Sequence, residues 1–260
     1  MKSRTLRVAG VCMLLAVLEQ SAEAAATPED PRWSASIDYG VSNFSPARDQ
    51  WREYGASARR HWERGSLAAE YLQASRFALT DEAIALDGYL DVWSRAYANV
   101  RYQYTADSVF FPDDAYRVEL FQGAGQGWEL AASYDHMDFT SSRVDMYGLG
   151  LGAYRGDWYY RWKTLFIPSD AEPGVSHRAI ARYYYAGNGD DYLELNGGFS
   201  HGREYRHQSQ VLDITKSRSI GVAFRKYYGR QWGVKLAASS SDEKNAFAER
   251  SLSLSLLFRW

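Results

Sequence analysis

This chain of 260 residues contains one cysteine, no surplus of positive charge, and no apolar run near the roughly 20 residues a membrane-spanning helix requires. Each shortage excludes a class. The lone thiol, Cys12, sits inside an amino-terminal apolar stretch from Val8 to Leu18, too early in it to be a lipoprotein acylation site. That stretch is expected to be removed, so the mature chain has no disulfide and no thiolate chemistry. The formal charge is −2, and losing Lys2, Arg4, Arg7, Glu19 and Glu23 with the first 24 residues shifts it to −3. Such a balance does not suit a nucleic-acid partner. Without a long apolar run, a helical membrane protein is excluded as well.

What is present points to a different membrane architecture. Lys2, Arg4 and Arg7 precede the Val8 to Leu18 stretch, and Ala22-Glu23-Ala24 supplies the small-x-small pattern of signal-peptide cleavage. Residues 1–24 are therefore expected to be an export signal and 25–260 one barrel domain. At the other end Leu252, Leu254, Leu256, Phe258 and Trp260 alternate with Ser251, Ser253, Ser255 and Arg259. A strand apolar on one face that ends in an aromatic residue fits the last strand of a bacterial outer-membrane β-barrel, lipid on one side and a polar lumen on the other. Phe258 and Trp260 are the candidate insertion signal read by the barrel-insertion machinery. Twenty Tyr, nine Trp and eleven Phe in a chain of negative mean hydropathy are hard to place in a soluble core and easy to place in interfacial girdles.

Period-2 segments separated by turn residues run through the whole mature sequence. They predict an all-β, antiparallel, up-and-down transmembrane barrel of about 14 strands, with 12 also possible. Ten residues at about 45° tilt rise about 23 Å, matching the apolar band of an outer membrane. The even-numbered connections are short, as at Arg64-Gly65, Ser94-Arg95 and Gly156-Asp157, whereas odd ones include Ala106 to Ala115, Ser169 to Gly174, His201 to Lys216 and Ser241 to Phe247. Short turns belong to the periplasm and long loops to the exterior. Trp33, Trp62, Trp93, Trp128, Trp158, Trp232 and Trp260 lie beside the inferred periplasmic turns or termini.

Alternation also assigns faces. The ninth segment offers Trp158, Tyr160, Trp162, Thr164 and Phe166 to lipid and turns Arg161 and Lys163 inward; the tenth offers Ala179, Ala181, Tyr183 and Tyr185 and turns Arg178 and Arg182 inward. A one-residue slip would place cations in lipid at about 2–4 kcal/mol each near the midplane. The expected lumen-lining charges are Arg117, Glu119, Glu129, Asp135 and Asp145 on segments six to eight, Arg161, Lys163, Arg178 and Arg182 on nine and ten, and Arg225 and Lys235 further round. An acidic wall beside a basic one is either a salt-bridged lumen or a transverse field that orients a charged or sugar-like solute.

Several runs carry a resemblance in order and spacing: Phe110-Phe111-Pro112, the segment from Gly127 to Tyr134 with Asp138-Phe139 after it, Tyr147 to Trp158 (YGLGLGAYRGDW), and Arg182 to Tyr185 followed by Gly189 to Tyr192. Over nearly the whole mature chain, from about Trp33 to Trp260, the sequence resembles the YaiO family of outer-membrane β-barrel proteins. The resemblance implies an outer-membrane barrel, in relatives sometimes attached to helical-repeat segments or found with surface-polysaccharide functions, and no established catalytic residues. No such repeat segment precedes Trp33, and a large periplasmic docking partner is not expected.

Three motifs could suggest chemistry. Gly198-Phe199-Ser200-His201-Gly202 spells G-x-S-x-G, but that motif needs a strand-to-helix turn, and here a strand end is expected. His201, Glu204 and His207 could hold a divalent metal, though their spacing matches no standard zinc signature. Asp135, His136 and Asp138 offer a His-carboxylate pairing, except that Asp135 and His136 point to opposite faces of one strand. The reading is thus a non-enzyme without cofactor or metal: a passive pore or conduit linked to saccharides, with a structural or surface-interaction barrel as the alternative and an outer-membrane hydrolase or acyltransferase disfavoured. About 14 strands would leave a lumen about 15 Å across if no loop folds in. Expected partners are outer-membrane lipid, lipopolysaccharide, the insertion machinery and saccharide solutes.

Overall fold

The computed structural model describes residues 32–260 apart from 47–48, 77, 141, 170–172, 207–210 and 245–247. The expected export signal, residues 1–24, lies outside the described residues. Fourteen strands follow in order: β1 (Trp33–Ser45), β2 (Trp51–Trp62), β3 (Gly65–Arg76), β4 (Leu79–Trp93), β5 (Ala96–Thr105), β6 (Asp114–Gly125), β7 (Trp128–Phe139), β8 (Ser142–Arg155), β9 (Trp158–Ile167), β10 (Gly174–Tyr183), β11 (Tyr192–Arg206), β12 (Val211–Tyr228), β13 (Trp232–Glu243) and β14 (Ala248–Arg259). Each pairs antiparallel with its sequence neighbours, and β1 pairs with β14 to close the barrel.

Closure satisfies every edge, which the hydrocarbon layer demands because it offers backbone groups no water. The seam runs from Ser34 opposite Arg259 to Ser45 opposite Ala248. Reciprocal backbone hydrogen bonds of 3.0 Å between Trp33 and Trp260 lock its lower end. Their indoles stack with centroids 6.3 Å apart, and Phe258 lies between Trp232, at 4.5 Å, and Trp260, at 5.1 Å.

Lipid explains the exposure pattern. Leu149, Ile84 and Leu252 are 72%, 62% and 58% exposed, a loss in water and a gain against acyl chains. The seven turn-side tryptophans are all exposed on this outer face. Nearer the opposite rim the outer face carries Tyr54, Tyr102, Tyr104 and Tyr116. These are the two girdles of a transmembrane barrel.

Two segments expected to be loops behave differently. Most of His201 to Lys216 is ladder: β11 and β12 stay paired from His201 opposite Lys216 to Arg206 opposite Val211. Above the membrane both faces of a strand meet water, so hydropathy alternation fades while backbone pairing continues. The other segment is Ala106 to Asp113, which folds back over the inner wall at the external end. Phe111 is 4% exposed and packs with Ala74 of β3 and Ala83 of β4, Phe110 and Leu72 lying against them. The lumen width expected from the strand count held only if no loop folded in; here one does, because two aromatic side chains find an apolar patch inside the mouth.

Candidate functional site: the barrel interior

Inward positions divide the interior into two walls. From β2 to β10 they carry long charged side chains, most of them buried. From β11 through β14 to β1 they are mainly Ser, Gly and Ala, including Ser219, Gly221, Ala237, Ser239, Ser253 and Ser36.

The charged wall is knitted by ion pairs. Arg59 reaches Asp87 at 2.5 Å, and Asn99 donates to the same carboxylate at 3.0 Å. Arg101 meets Glu70 at 2.5 Å and Arg182 meets Glu194 at 2.5 Å, while Arg117 lies 4.0 Å from Asp135. Glu119 is the hub: Arg161 and Lys163 of β9 approach one of its oxygens at 2.7 and 2.8 Å. Those cations extend over two intervening strands, β7 and β8, to a carboxylate on β6.

The YGLGLG run explains how they can. Its leucines face lipid, and its glycines leave a trough inside. A Cβ on Gly148 would stand 2.2 Å from Ser133 Oγ and 2.9 Å from Lys163 Cε. Any side chain there would expel the Lys163 stem. Pairs this well buried add little net stability, because desolvation offsets their attraction, but removing one partner strands the other at about 3–5 kcal/mol.

The remaining sequence-selected residues are placed as follows. Arg178 sits inward on β10, between Lys163 of β9 and Gly198 of β11. Arg225 lies at the turn-side mouth, over the Tyr192 ring at 4.7 Å and 3.6 Å from Asp190, which also holds Arg259 at 2.6 Å. Lys235 stands among the small residues, in one register row with Ser255 and Asp38. Glu129 faces inward and accepts a hydrogen bond from the Tyr97 hydroxyl at 2.8 Å.

Asp145 is the exception and corrects the sequence reading. It pairs with His136 in register and shares the outer face with Tyr147, Leu149 and Leu151. Its carboxylate meets His136 Nδ1 and the Tyr134 hydroxyl, each at 2.7 Å, near the external rim. The parity of β8 was readable from its leucines. A lumenal aspartate would have had to share a face with three lipid-exposed side chains.

Among the described residues the remaining motifs are not brought together into one site. Ser200 of the G-x-S-x-G run lies inside β11, hydrogen-bonded to Ser217 at 2.6 Å. His207 and the side chain of Glu204 lie outside the described residues, and so does the set they would form with His201. Among the described residues no group of three metal-ligating side chains is placed to hold an ion. His136 does find a carboxylate, but across the β7–β8 pair on the outer surface.

The inward loop supplies residues the sequence reading missed. Asp81, on the inner face of β4, accepts the backbone N–H groups of Val109, Phe110 and Phe111 at 3.0, 2.7 and 2.7 Å. Arg76 stacks over Trp51 at 4.4 Å and Phe110 at 5.0 Å and bonds Glu53 at 2.7 Å. The loop is thereby fastened as a constriction at the external mouth. Its signal was Phe110-Phe111-Pro112, too aromatic for a loop that only meets water.

Comparisons place this geometry among known barrels. No curated protein matches the chain by sequence. Among solved structures, the CymD monoaromatic hydrocarbon channel aligns with TM-score 0.59 at 9% identity, covering 89% of each chain. Omp33 of Acinetobacter baumannii aligns with TM-score 0.54 at 9% identity over 88% of this chain and 98% of its own, and OpdQ of Pseudomonas aeruginosa with 0.53 at 8% over 89% and 99%. A "bacterial polysaccharide outer membrane secretin" aligns with 0.52 at 10% over 88% and 98%. These likenesses show the fold alone, a closed outer-membrane β-barrel. The YaiO membrane beta barrel domain matches residues 33–203, and with this closed 14-stranded barrel the chain belongs to the YaiO family of outer-membrane β-barrels.

Proposed function

We propose that the protein is a passive conduit of the outer membrane, its water path running along the wall of small residues, with saccharides as the solute class. The observation that carries this reading is the exposure of inward-facing Ser219 and Ser239 opposite a wall filled by ion-paired side chains. Hydroxyls with Lys235 and Asp38 among them offer alternating donors and acceptors, suited to a polyol that must be held weakly and released. The charged wall supplies a transverse field across the same path. One of the similar structures is a bacterial polysaccharide outer membrane secretin, which supports that class.

The reading assigns no catalytic residue and no cofactor. Lipid and lipopolysaccharide surround the girdles, and Phe258 and Trp260 present the aromatic end to the insertion machinery. A second reading, a non-conducting barrel that acts through its surface, is favoured by the inward loop and by the β11–β12 hairpin extending past the rim.

Single-channel recording decides between them. The conduit should open in planar bilayers, lose conductance in Ser239→Trp, and gain it in Asp81→Ala, where the constriction is unfastened. A purified, heat-modifiable barrel that never conducts, in either wild type or Asp81→Ala, would select the surface reading.

A further inference from the structure

One buried carboxylate stands apart from the ion-paired network. Glu129 near the start of β7 faces inward at 8% exposure, and among the described residues its hydrogen-bond partner is the Tyr97 hydroxyl, which bonds Oε2. Among the described residues no cation lies within ion-pair distance of it. Arg161, on the β9 row beside Gly152, is engaged by Glu119 at 2.7 Å and lies over Phe121 at 5.2 Å.

What surrounds Glu129 is aromatic. Tyr97 stacks on Phe121 with centroids 4.5 Å apart, and Tyr154 meets Tyr159 at 4.6 Å. Three of these rings are at least partly buried, whereas Tyr154 is 40% exposed beside the short β8–β9 turn. Gly152 is the register partner of Glu129. A Cβ there would sit 3.4 Å from Glu129 Oε1 and 3.5 Å from the Tyr159 ring, ordinary contact distances, so the glycine leaves a methyl-sized space between carboxylate and ring.

A desolvated carboxylate with no cation in contact is unfavourable, Arg161 acting on it only from a distance, and ring faces add negative potential to the same spot. What complements the site is a positive charge with an apolar skirt, the chemistry that aromatic cages recognise. We propose that Glu129, Tyr97, Tyr154 and Tyr159 form a binding site for an ammonium-bearing solute, entered from the periplasmic mouth. Neutral solutes gain only the ring contacts. The site therefore discriminates by charge more than by shape.

Choline and its uncharged isostere 3,3-dimethyl-1-butanol separate the two contributions. Titrated into the purified barrel in detergent and followed by saturation-transfer NMR, choline should bind about ten-fold tighter than the isostere. Glu129→Gln, which keeps a partner for Tyr97, should bring the two affinities together. Gly152→Val should abolish both. If Glu129→Gln fails to give a heat-modifiable barrel, Tyr154→Leu at the exposed ring should weaken choline several-fold. Equal affinities in the wild type, no saturable choline binding, or a choline affinity untouched in both Glu129→Gln and Tyr154→Leu would overturn the proposal. The assay has no membrane, so its result stands apart from whether the barrel conducts.

Discussion

The two walls of the barrel solve one problem in opposite ways. Both must turn polar groups inward, yet β2 to β10 use mostly long charged side chains that satisfy one another, with Arg182 reaching Glu194 on β11, while β12 to β14 and β1 use mainly hydroxyls and backbone-sized residues. The charged wall is thick and mutually dependent: Glu119 alone holds two cations. The hydroxyl wall is thin, and its bonds are local, Ser42 to Ser251 at 2.9 Å and Ser200 to Ser217 at 2.6 Å. Charge on one side fills space and fixes side chains. Small residues on the other leave room for water. A barrel with charged chains all round would be plugged, and one with serines all round would be a wider, featureless tube.

That contrast can be broken where each wall depends on a few residues. The thin wall contains the seam, so deleting Phe258 to Trp260 should have the largest effect. It removes the Trp33–Trp260 bonds and the aromatic end together, and outer-membrane fractions should contain almost no heat-modifiable protein. Normal amounts would show that the seam closes without them.

The next effect belongs to the thick wall. Glu119→Gln leaves Arg161 and Lys163 without their shared carboxylate and should lower unfolding free energy by about 3 kcal/mol in urea. Ser239→Ala on the thin wall should stay within about 0.5 kcal/mol. Comparable losses in the two variants would erase the distinction between the walls.

Selectivity sharpens the comparison further. Exchanging Arg161, Lys163, Arg178 and Arg182 for glutamine should shift the reversal potential under a salt gradient toward cations, because Glu119, Asp135 and Glu194 keep their charge beside the path. If the wild type conducts and the quadruple variant has the same selectivity, these charges serve structure alone. The smallest effect is expected at Asp145. As an outer-face residue bound to His136, it should leave the reversal potential unchanged when replaced by asparagine, and a shift like that of the quadruple variant would return it to the lumen.

Much of this was readable before any coordinates. Alternation on β9 and β10 identified Arg161, Lys163, Arg178 and Arg182 as inward, because a side chain on a pleated strand has only two faces. The turn-side tryptophans marked one membrane boundary for the same reason, being restricted to an interface by their own amphipathic rings. Asp145 was equally readable and was misplaced only by neglecting the parity of Leu149 and Leu151. The β11–β12 extension was not readable, since the periodic signal requires lipid on one side and that hairpin rises above it. Asp81 gave no signal either: its carboxylate matters because of backbone N–H groups nearly 30 residues later in the chain.

By itself, then, the order of residues determined an antiparallel barrel of about 14 strands and the facing of most side chains, each a local consequence of a period of two and of which solvent an exposed side chain can tolerate. Which inward charges meet was decided only by closure of the barrel. Lys163 reaches Glu119 because three neighbouring pairings bring β9 and β6 to one side and glycines on β8 leave the path clear, and Phe111 enters the mouth because β3 and β4 together present two alanines there. Among the described residues Glu129 has no cation in contact, for the same reason. Contacts across a curved interior depend on how far each side chain extends past its neighbours, and no pattern along a single strand contains that distance.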